Sequence, residues 1–123
     1  MKNSSFNSTS TFNKTGSSDD TSEGNNVFMQ DATFTNSGSG NFQLGYGTPD
    51  DFKSDVTIVN SGTAHFYFAD RSAGNKVGGD LHITNSASGT STQIYINNHF
   101  SSTLDVTGSV TIVNDGTASD NSV

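Results

Sequence analysis

The stretch Phe52-Lys53-Ser54-Asp55-Val56-Thr57-Ile58-Val59-Asn60-Ser61-Gly62-Thr63 contains the pattern that decides the fold. Val56 and Ile58 lie two residues apart, which places both side chains on the same face of an extended chain. This period of two is typical of a half-buried β-strand. The Asn60-Ser61-Gly62 that follows is typical of a turn. The stretch therefore predicts one short strand that ends at a corner.

This frame repeats along the chain. The pattern apolar-x-x-Asp-apolar-x-apolar-x-Asn occurs at four places, where x is any residue. The fourth copy has Ser109 in the Asp position. The copies begin 24, 25 and 29 residues apart, at Phe28, Phe52, Val77 and Val106. A second alternating block follows each of the first three copies, at residues 42–44, 66–68 and 94–96. A weaker copy begins at Phe6.

A repeat of this length, built from short strands and turns, is typical of a solenoid. We therefore expect an all-β protein, a parallel β-solenoid (β-helix) of about four to five coils with a period of 24–29 residues. When coils stack in parallel, equivalent positions form columns along the axis. The expected core columns are Phe28, Phe52, Val77 and Val106; Ala32, Val56, Leu81 and Val110; Phe34, Ile58, Ile83 and Ile112; and Phe42, Phe66 and Ile94.

The composition agrees with this fold and excludes several other classes. Only 29% of the 123 residues are apolar, whereas Ser, Thr, Asn and Gly number 63, so a conventional globular core is not expected. The absence of Cys excludes disulfides and thiolate metal sites. The net charge is −7 and the five Lys and Arg are scattered, which argues against nucleic acid as a partner. No apolar run is long enough to span a membrane, and no signal peptide is predicted.

The chain divides into two regions. Residues 1–24 are mostly polar and are expected to form a weak first coil, a cap or a partly disordered segment. Residues 25–123 hold the solenoid repeats, with coils that start near Phe28, Phe52, Val77 and Val106. The last copy stops at Val123, where its next strand would begin. We therefore expect a C-terminal truncation within a longer array, whose neighbours are further copies of the same repeat.

An Asn ends the first long strand of each copy, at Asn36, Asn60, Asn85 and Asn114. Stacked amides can hydrogen-bond to one another along the axis as an Asn ladder. Alternatively, each Asn tolerates the left-handed or turn backbone that ends the strand. Both interpretations of this column are structural.

No residue pattern indicates catalysis or a bound cofactor. The three His residues fall at different positions of the repeat, so the sequence predicts no metal site formed by them. Asp31, Asp55 and Asp80 recur at one corner, where stacked carboxylates could share Ca²⁺. An Asp that bonds to the backbone of its own turn explains the same recurrence. We expect a non-enzymatic protein without catalytic, cofactor-binding or metal-binding residues.

The frame from Phe52 to Thr63 resembles the repeats of very large Bacteroidetes surface adhesins, the SprB-type gliding adhesins. The resemblance covers roughly residues 28–123. The chain keeps Asn-Ser-Gly at residues 36–38 and 60–62, but it has Lys53-Ser54 or Gly78-Gly79 where those repeats often have Asn-Gly. Autotransporter passengers and haemagglutinin-like exoproteins have similar motifs. The resemblance implies export by type 9 secretion, display on the bacterial cell surface and a part in gliding motility.

These observations predict a repetitive structural segment of an extracellular bacterial adhesin or cell-surface filament. It would act as a rigid spacer with many weak contacts to polysaccharide or a solid surface. Tyr67 and Tyr95 are candidate surface-contact residues that could stack on sugars. The main alternative is a self-assembling fibre subunit that joins head to tail. Two further alternatives are a polysaccharide-degrading β-helix enzyme and an ice-binding solenoid, although only Thr33-Phe34-Thr35 supplies the Thr-x-Thr that ice binding needs in every coil.

Overall fold

The computed structural model describes residues 1–89, 92–117 and 121–123. Residues 90–91 and 118–120, which belong to the predicted repeat region, lie outside the described residues. The described part of the chain is all β and contains no helix, and so none that could cross a membrane. Its strands form three parallel five-stranded sheets.

Each sheet takes one strand from every coil. Sheet 1 consists of β1 (Ser5–Phe6), β4 (Val27–Phe28), β7 (Asp51–Phe52), β10 (Asn75–Val77) and β13 (Leu104–Val106). Sheet 2 consists of β2 (Ser10–Lys14), β5 (Ala32–Asn36), β8 (Val56–Asn60), β11 (Leu81–Asn85) and β14 (Val110–Asn114). Sheet 3 consists of β3 (Asp20–Thr21), β6 (Phe42–Gln43), β9 (Phe66–Phe68), β12 (Thr92–Ile96) and β15 (Asn121–Ser122). The described chain is thus a parallel β-solenoid of about four complete turns, which confirms the expected fold class.

Equivalent residues of successive coils pair directly. In sheet 1, Phe28 pairs with Phe52, and this column continues to Val77 and Val106. In sheet 2 the columns that begin at Ala32 and Phe34 continue without a register shift to Val110 and Ile112. In sheet 3 the third core column runs through Phe42, Phe66 and Ile94. Parallel strands lie about 4.8 Å apart, so each inward side chain contacts its equivalents above and below.

Residues 1–24 contribute the first coil. Phe6 pairs with Phe28, and Phe12 pairs with Phe34, so two apolar columns extend to this end. Asp20 pairs with Phe42 and thus takes the place of an inward apolar residue. The first coil is therefore the most polar level of the solenoid.

Stacked phenylalanine rings fill much of the core. The ring centroid of Phe28 lies 4.7 Å from that of Phe6 and 4.6 Å from that of Phe52, and the ring planes are nearly parallel. Phe28 also meets Phe34 edge to face at 5.6 Å. Such pairs contribute about 0.5–1.5 kcal/mol beyond the area that they bury. The apolar columns thus stabilise contacts between coils as well as within each coil.

Glycine allows the coils to approach closely where sheet 2 turns towards sheet 3. A Cβ added to Gly62 would lie 2.1 Å from the carbonyl oxygen of Gly38, and one added to Gly38 would lie 2.3 Å from that of Gly16. The Gly of each Asn-Ser-Gly is therefore needed for stacking. The longer connections, residues 44–50, 69–74 and 97–103, all lie at the corner between sheets 3 and 1, so they leave the columns intact.

Truncation of Ile58 tests the contribution of a column. Ile58 is fully buried between Phe34 and Ile83. We expect Ile58→Ala to lower the free energy of unfolding by about 2–5 kcal/mol and Ile58→Val by about 0.5–1.5 kcal/mol. Urea denaturation followed by circular dichroism measures both. Val59→Ala, on the outward side of the same strand, is the control, and an equal loss from Val59→Ala contradicts the assigned register.

Candidate functional site

The outward faces of the three sheets differ in chemistry. Sheet 1 exposes charged side chains, namely Asp51, Lys76 and Asp105. Sheet 2 exposes two uncharged columns, which are Thr11, Thr33, Thr57, His82 and Thr111, and Asn13, Thr35, Val59, Thr84 and Val113. Among the described residues, only sheet 3 has tyrosine rings on its strands. We call its outward side chains Asn41, Gln43, His65, Tyr67, Gln93 and Tyr95 the tyrosine face.

The structure brings the two predicted surface-contact residues together. Tyr67 and Tyr95 pair in register, and their rings stack with centroids 5.0 Å apart and planes 12° from parallel. The ring of His65 meets both at an angle, with centroid distances of 5.9 Å to Tyr67 and 5.3 Å to Tyr95. The ring faces that are turned towards each other are therefore covered. A sugar ring has no access to these two faces, although both tyrosines remain partly exposed.

The two tyrosine hydroxyl groups have different surroundings. The Tyr95 hydroxyl donates a hydrogen bond to Gln93 Oε1. The Tyr67 hydroxyl has no hydrogen-bond partner among the described residues. Burial raises the pKa of Tyr67, and the nearby acidic groups Tyr95, Asp70 and Asp19 raise it further. The carboxylates of Asp70 and Asp19 are the groups among these that act on the Tyr67 hydroxyl as negative charges at neutral pH.

A ladder of side-chain acceptors runs beside the tyrosines. The backbone N–H of Asn41 donates to Asp19 Oδ1 (2.7 Å), that of His65 to Asn41 Oδ1 (3.1 Å), and that of Gln93 to His65 Nδ1 (3.2 Å). Each side chain therefore binds the backbone of the next coil. Because His65 Nδ1 accepts, the neutral ring has its proton on Nε2, which is then a hydrogen-bond donor.

Asp55 and Asp80 form a second ladder at the corner between sheets 1 and 2. The backbone N–H of Asp80 donates to Asp55 Oδ1, and that of Ser109 donates to Asp80 Oδ1, both at 2.8 Å. These carboxylates lie against Gly79 and Gly108, where an added Cβ would be 2.1 and 2.3 Å from the carboxylate oxygens. The expected bond to the backbone of the same turn is wrong for this pair, because parallel stacking brings the N–H of the next coil within reach.

Asp31 bonds differently, and no metal cluster accompanies these acids. Asp31 Oδ1 accepts from Ser54 Oγ at 2.5 Å, since Ser54 stands where the later coils have Gly. His82 lies on β11 of sheet 2, His65 lies directly before β9 of sheet 3, and His99 lies in the loop of residues 97–103, so the three occupy different positions of the coil. Within residues 1–89, 92–117 and 121–123, no three His, Asp or Glu side chains are grouped so that they could hold a metal ion.

The Asn column lies inside the corner between sheets 2 and 3. Asn36 and Asn60 are fully buried, and their Nδ2 atoms donate across the turn to the carbonyl oxygens of Gly40 (3.2 Å) and Ala64 (3.0 Å). Asn60 Nδ2 also donates to Asn85 Oδ1 at 3.3 Å, which is one rung of the expected ladder. The amides therefore both close the turn and connect coils.

The left-handed backbone suggested for this column is wrong. The described non-glycine residues with positive φ are Asn3, Asn25, Ala69 and Asn97, and none of them belongs to it. Asn114 aligns with Asn85 but is exposed in the last coil. In the first coil the position is held by Lys14, which is buried and donates from Nζ to the carbonyl oxygen of Gly16 at 2.7 Å.

The repeat pattern quoted above does not include a buried polar column that lies at the start of sheet 1. Its members Asn26, Asp50 and Asn75 are no more than 2% exposed. The backbone N–H and Nδ2 of Asn26 donate to Asp50 Oδ1 at 3.0 and 2.9 Å, and the backbone N–H of Asp50 donates to Asn75 Oδ1 at 2.9 Å. The signal was present, because each residue stands two positions before an anchor: Phe28, Phe52 and Val77.

Asp50 is the charged member of this column. Burial raises the pKa of its carboxyl group above the ordinary value of 3.8, and hydrogen bonds from Asn26 and from the backbone of Gly45 offset part of this shift. The Asp50 side chain is therefore part of the buried column and is shielded from solvent.

Comparison with known proteins adds no relative. The chain matches no known protein family, no curated protein and no solved structure.

Substitution of Asp55 tests the carboxylate ladder. Asp55→Ala removes the acceptor for the N–H of Asp80, and we expect the free energy of unfolding to fall by about 1 kcal/mol. Asp55→Asn keeps an oxygen acceptor and should lose clearly less. Chemical denaturation measures both, with Asp105→Ala on the exposed face of sheet 1 as the control for charge. If Asp55→Ala and Asp55→Asn lower the free energy of unfolding equally, the hydrogen bond from Asp80 N–H to Asp55 Oδ1 does not contribute to stability.

Asp50 predicts a specific pH dependence of stability. Just above pH 3.8 the unfolded chain loses the Asp50 proton while the folded chain keeps it, because the folded pKa is raised. The free energy of unfolding therefore decreases as pH rises through this window. The side chain of the Asp50→Asn variant does not titrate. The free energy of unfolding of the wild type, measured relative to that of this variant, should therefore decrease between pH 3.5 and 7. A constant or rising difference in denaturation experiments contradicts the prediction.

Proposed function

We propose that the chain is a structural segment of an extracellular bacterial surface adhesin or filament, in which it acts as a rigid spacer. The observation that carries this proposal is the continuous register of equivalent strands in all three sheets. A structure of this kind lengthens by the addition of repeats while its cross-section stays the same. The resemblance of the repeat to gliding adhesins supports display at the cell surface.

The chemistry of the outward faces supports weak, repeated contacts rather than catalysis. Acidic side chains that a glycan-degrading enzyme would direct into a groove accept backbone hydrogen bonds here, as Asp55 and Asp80 do. Outward positions of one sheet lie above one another from coil to coil, so individually weak contacts of a single face add along the rod. The acidic excess, with a net charge of −7, favours solubility of a long array.

A self-assembling fibre subunit is the second candidate. Val110 and Ile112 occupy inward columns but are 52% and 51% exposed, since no described strand pairs with the outer edge of β14. A further strand of the same pattern would cover them. Either a later coil of the same polypeptide or another copy can supply that strand.

A tandem fusion tests the spacer function. Ser122 of β15 pairs with Gln93, so the next residue, Val123, aligns with Ile94. Ile94 belongs to the column that continues through Phe66 and Phe42 to Asp20 in the first coil. Two residues inserted between Val123 and a second Met1 reproduce the spacing of Asp20 to Phe28. We expect small-angle scattering to show an unchanged cross-section and a rod that is longer along its axis by about 24 Å, for five added coils.

Two outcomes contradict the spacer function. One is a fusion that scatters as two separate bodies with a larger cross-section. The other is the single chain assembling into long threads, seen by electron microscopy and concentration-dependent sedimentation, which supports the fibre subunit instead.

A further inference from the structure

The tyrosine face combines groups that suit a ligand rich in hydroxyl groups. Amide side chains both donate and accept hydrogen bonds, and this face has three of them, Asn41, Gln43 and Gln93. Asn41 Nδ2 donates to Asp19 Oδ2 and Asn41 Oδ1 accepts from the backbone of His65, so the contribution of amides to a ligand comes from the two glutamines. His65 presents Nε2–H, since its Nδ1 accepts from the backbone of Gln93. The Tyr67 hydroxyl has no partner among the described residues and can therefore donate to a ligand. These groups lie in adjacent columns that run along the solenoid axis.

The face is ordered before a ligand binds. The rings of Tyr67 and Tyr95 hold each other at 5.0 Å, and His65 contacts both. The Tyr95 hydroxyl is oriented by Gln93, and Thr21 Oγ1 donates to Gln43 Oε1 at 2.8 Å. Groups that are already fixed lose little conformational entropy on binding. The face therefore suits an extended chain that contacts one coil after another.

Electrostatics selects the class of ligand. The tyrosine face has no Lys or Arg, and the whole chain has a net charge of −7. Asp70 and Asp19 both act on Tyr67 as negative charges. An anionic polysaccharide such as alginate or pectin is therefore repelled, whereas a neutral one is not.

We propose that the tyrosine face binds a neutral polysaccharide whose chain lies along the solenoid axis. The contacts are hydrogen bonds to the tyrosine hydroxyls, amides and His65 together with the edges of the two rings, since the facing ring surfaces are covered. This inference rests on the proposed function and names the class of glycan that such a segment would contact.

Affinity electrophoresis of the full chain tests the proposal. The gels contain hydroxyethyl cellulose or glucomannan as neutral probes and alginate or polygalacturonate as anionic probes, each at low and high salt. We expect retention by at least one neutral probe, little change with salt, and no retention by the anionic probes. Tyr67→Phe combined with Tyr95→Phe keeps the stacked rings but removes both hydroxyls, and it should weaken retention about tenfold.

Matched variants separate binding from folding. Thr57→Val combined with Thr84→Val changes two outward hydroxyls of sheet 2 and should leave retention unchanged. Circular dichroism during thermal unfolding verifies that the double Phe variant is folded, and Gln43→Ala provides a second variant of the face. Any of three results overturns the proposal. These are no retention by the neutral probes, unchanged retention of the double Phe variant, and stronger, salt-sensitive retention by the anionic probes. The scattering of the tandem fusion does not depend on these results, so failure of glycan binding is distinguishable from failure of the spacer function.

Discussion

Parallel backbone hydrogen bonding between successive coils is the interaction on which the rest of this structure depends. The strands are short, two to five residues each, and few of the 123 residues are apolar, so one coil alone buries too little surface to be stable. Stacking places Phe28 against Phe52 and Ile58 against Ile83. Each coil therefore depends on its neighbours, and any residue in a column must fit the equivalents above and below.

Polar side chains connect the coils at the corners, where the strands end. Asp55 and Asp80 bind the backbone of the following coil, whereas Asp50 and Asn75 bind that of the preceding one. The Asn column closes its own turns and also links coils, since Asn36 Nδ2 donates to the carbonyl oxygen of His65 and Asn60 Nδ2 donates to Asn85 Oδ1. These bonds satisfy backbone groups that the sheets leave free at a corner. They explain why the repeat retains Asp, Asn and Gly as well as its apolar residues.

The solenoid separates stability from surface chemistry. Inward columns consist mainly of apolar residues and Asn, with Lys14 and Asp50 as buried charged members. Outward positions vary more widely, from the Thr columns of sheet 2 to the stacked tyrosines of sheet 3. The same scaffold can therefore present different faces to its surroundings without a change in its core. This separation fits a spacer with contact surfaces, which is the function that we propose.

The sequence by itself determined the fold class, because residues that stack on their own equivalents must repeat at a fixed spacing, and Phe28, Phe52, Val77 and Val106 do so. It also indicated that Tyr67 and Tyr95 point outward. Only the tertiary structure decided their mutual stacking, the partners of Asp55 and the burial of Asp50. The physical reason is that a hydrogen-bond partner one coil away is selected by the path of the backbone through each corner. That path depends on connections of variable length, which the period of the repeat does not specify.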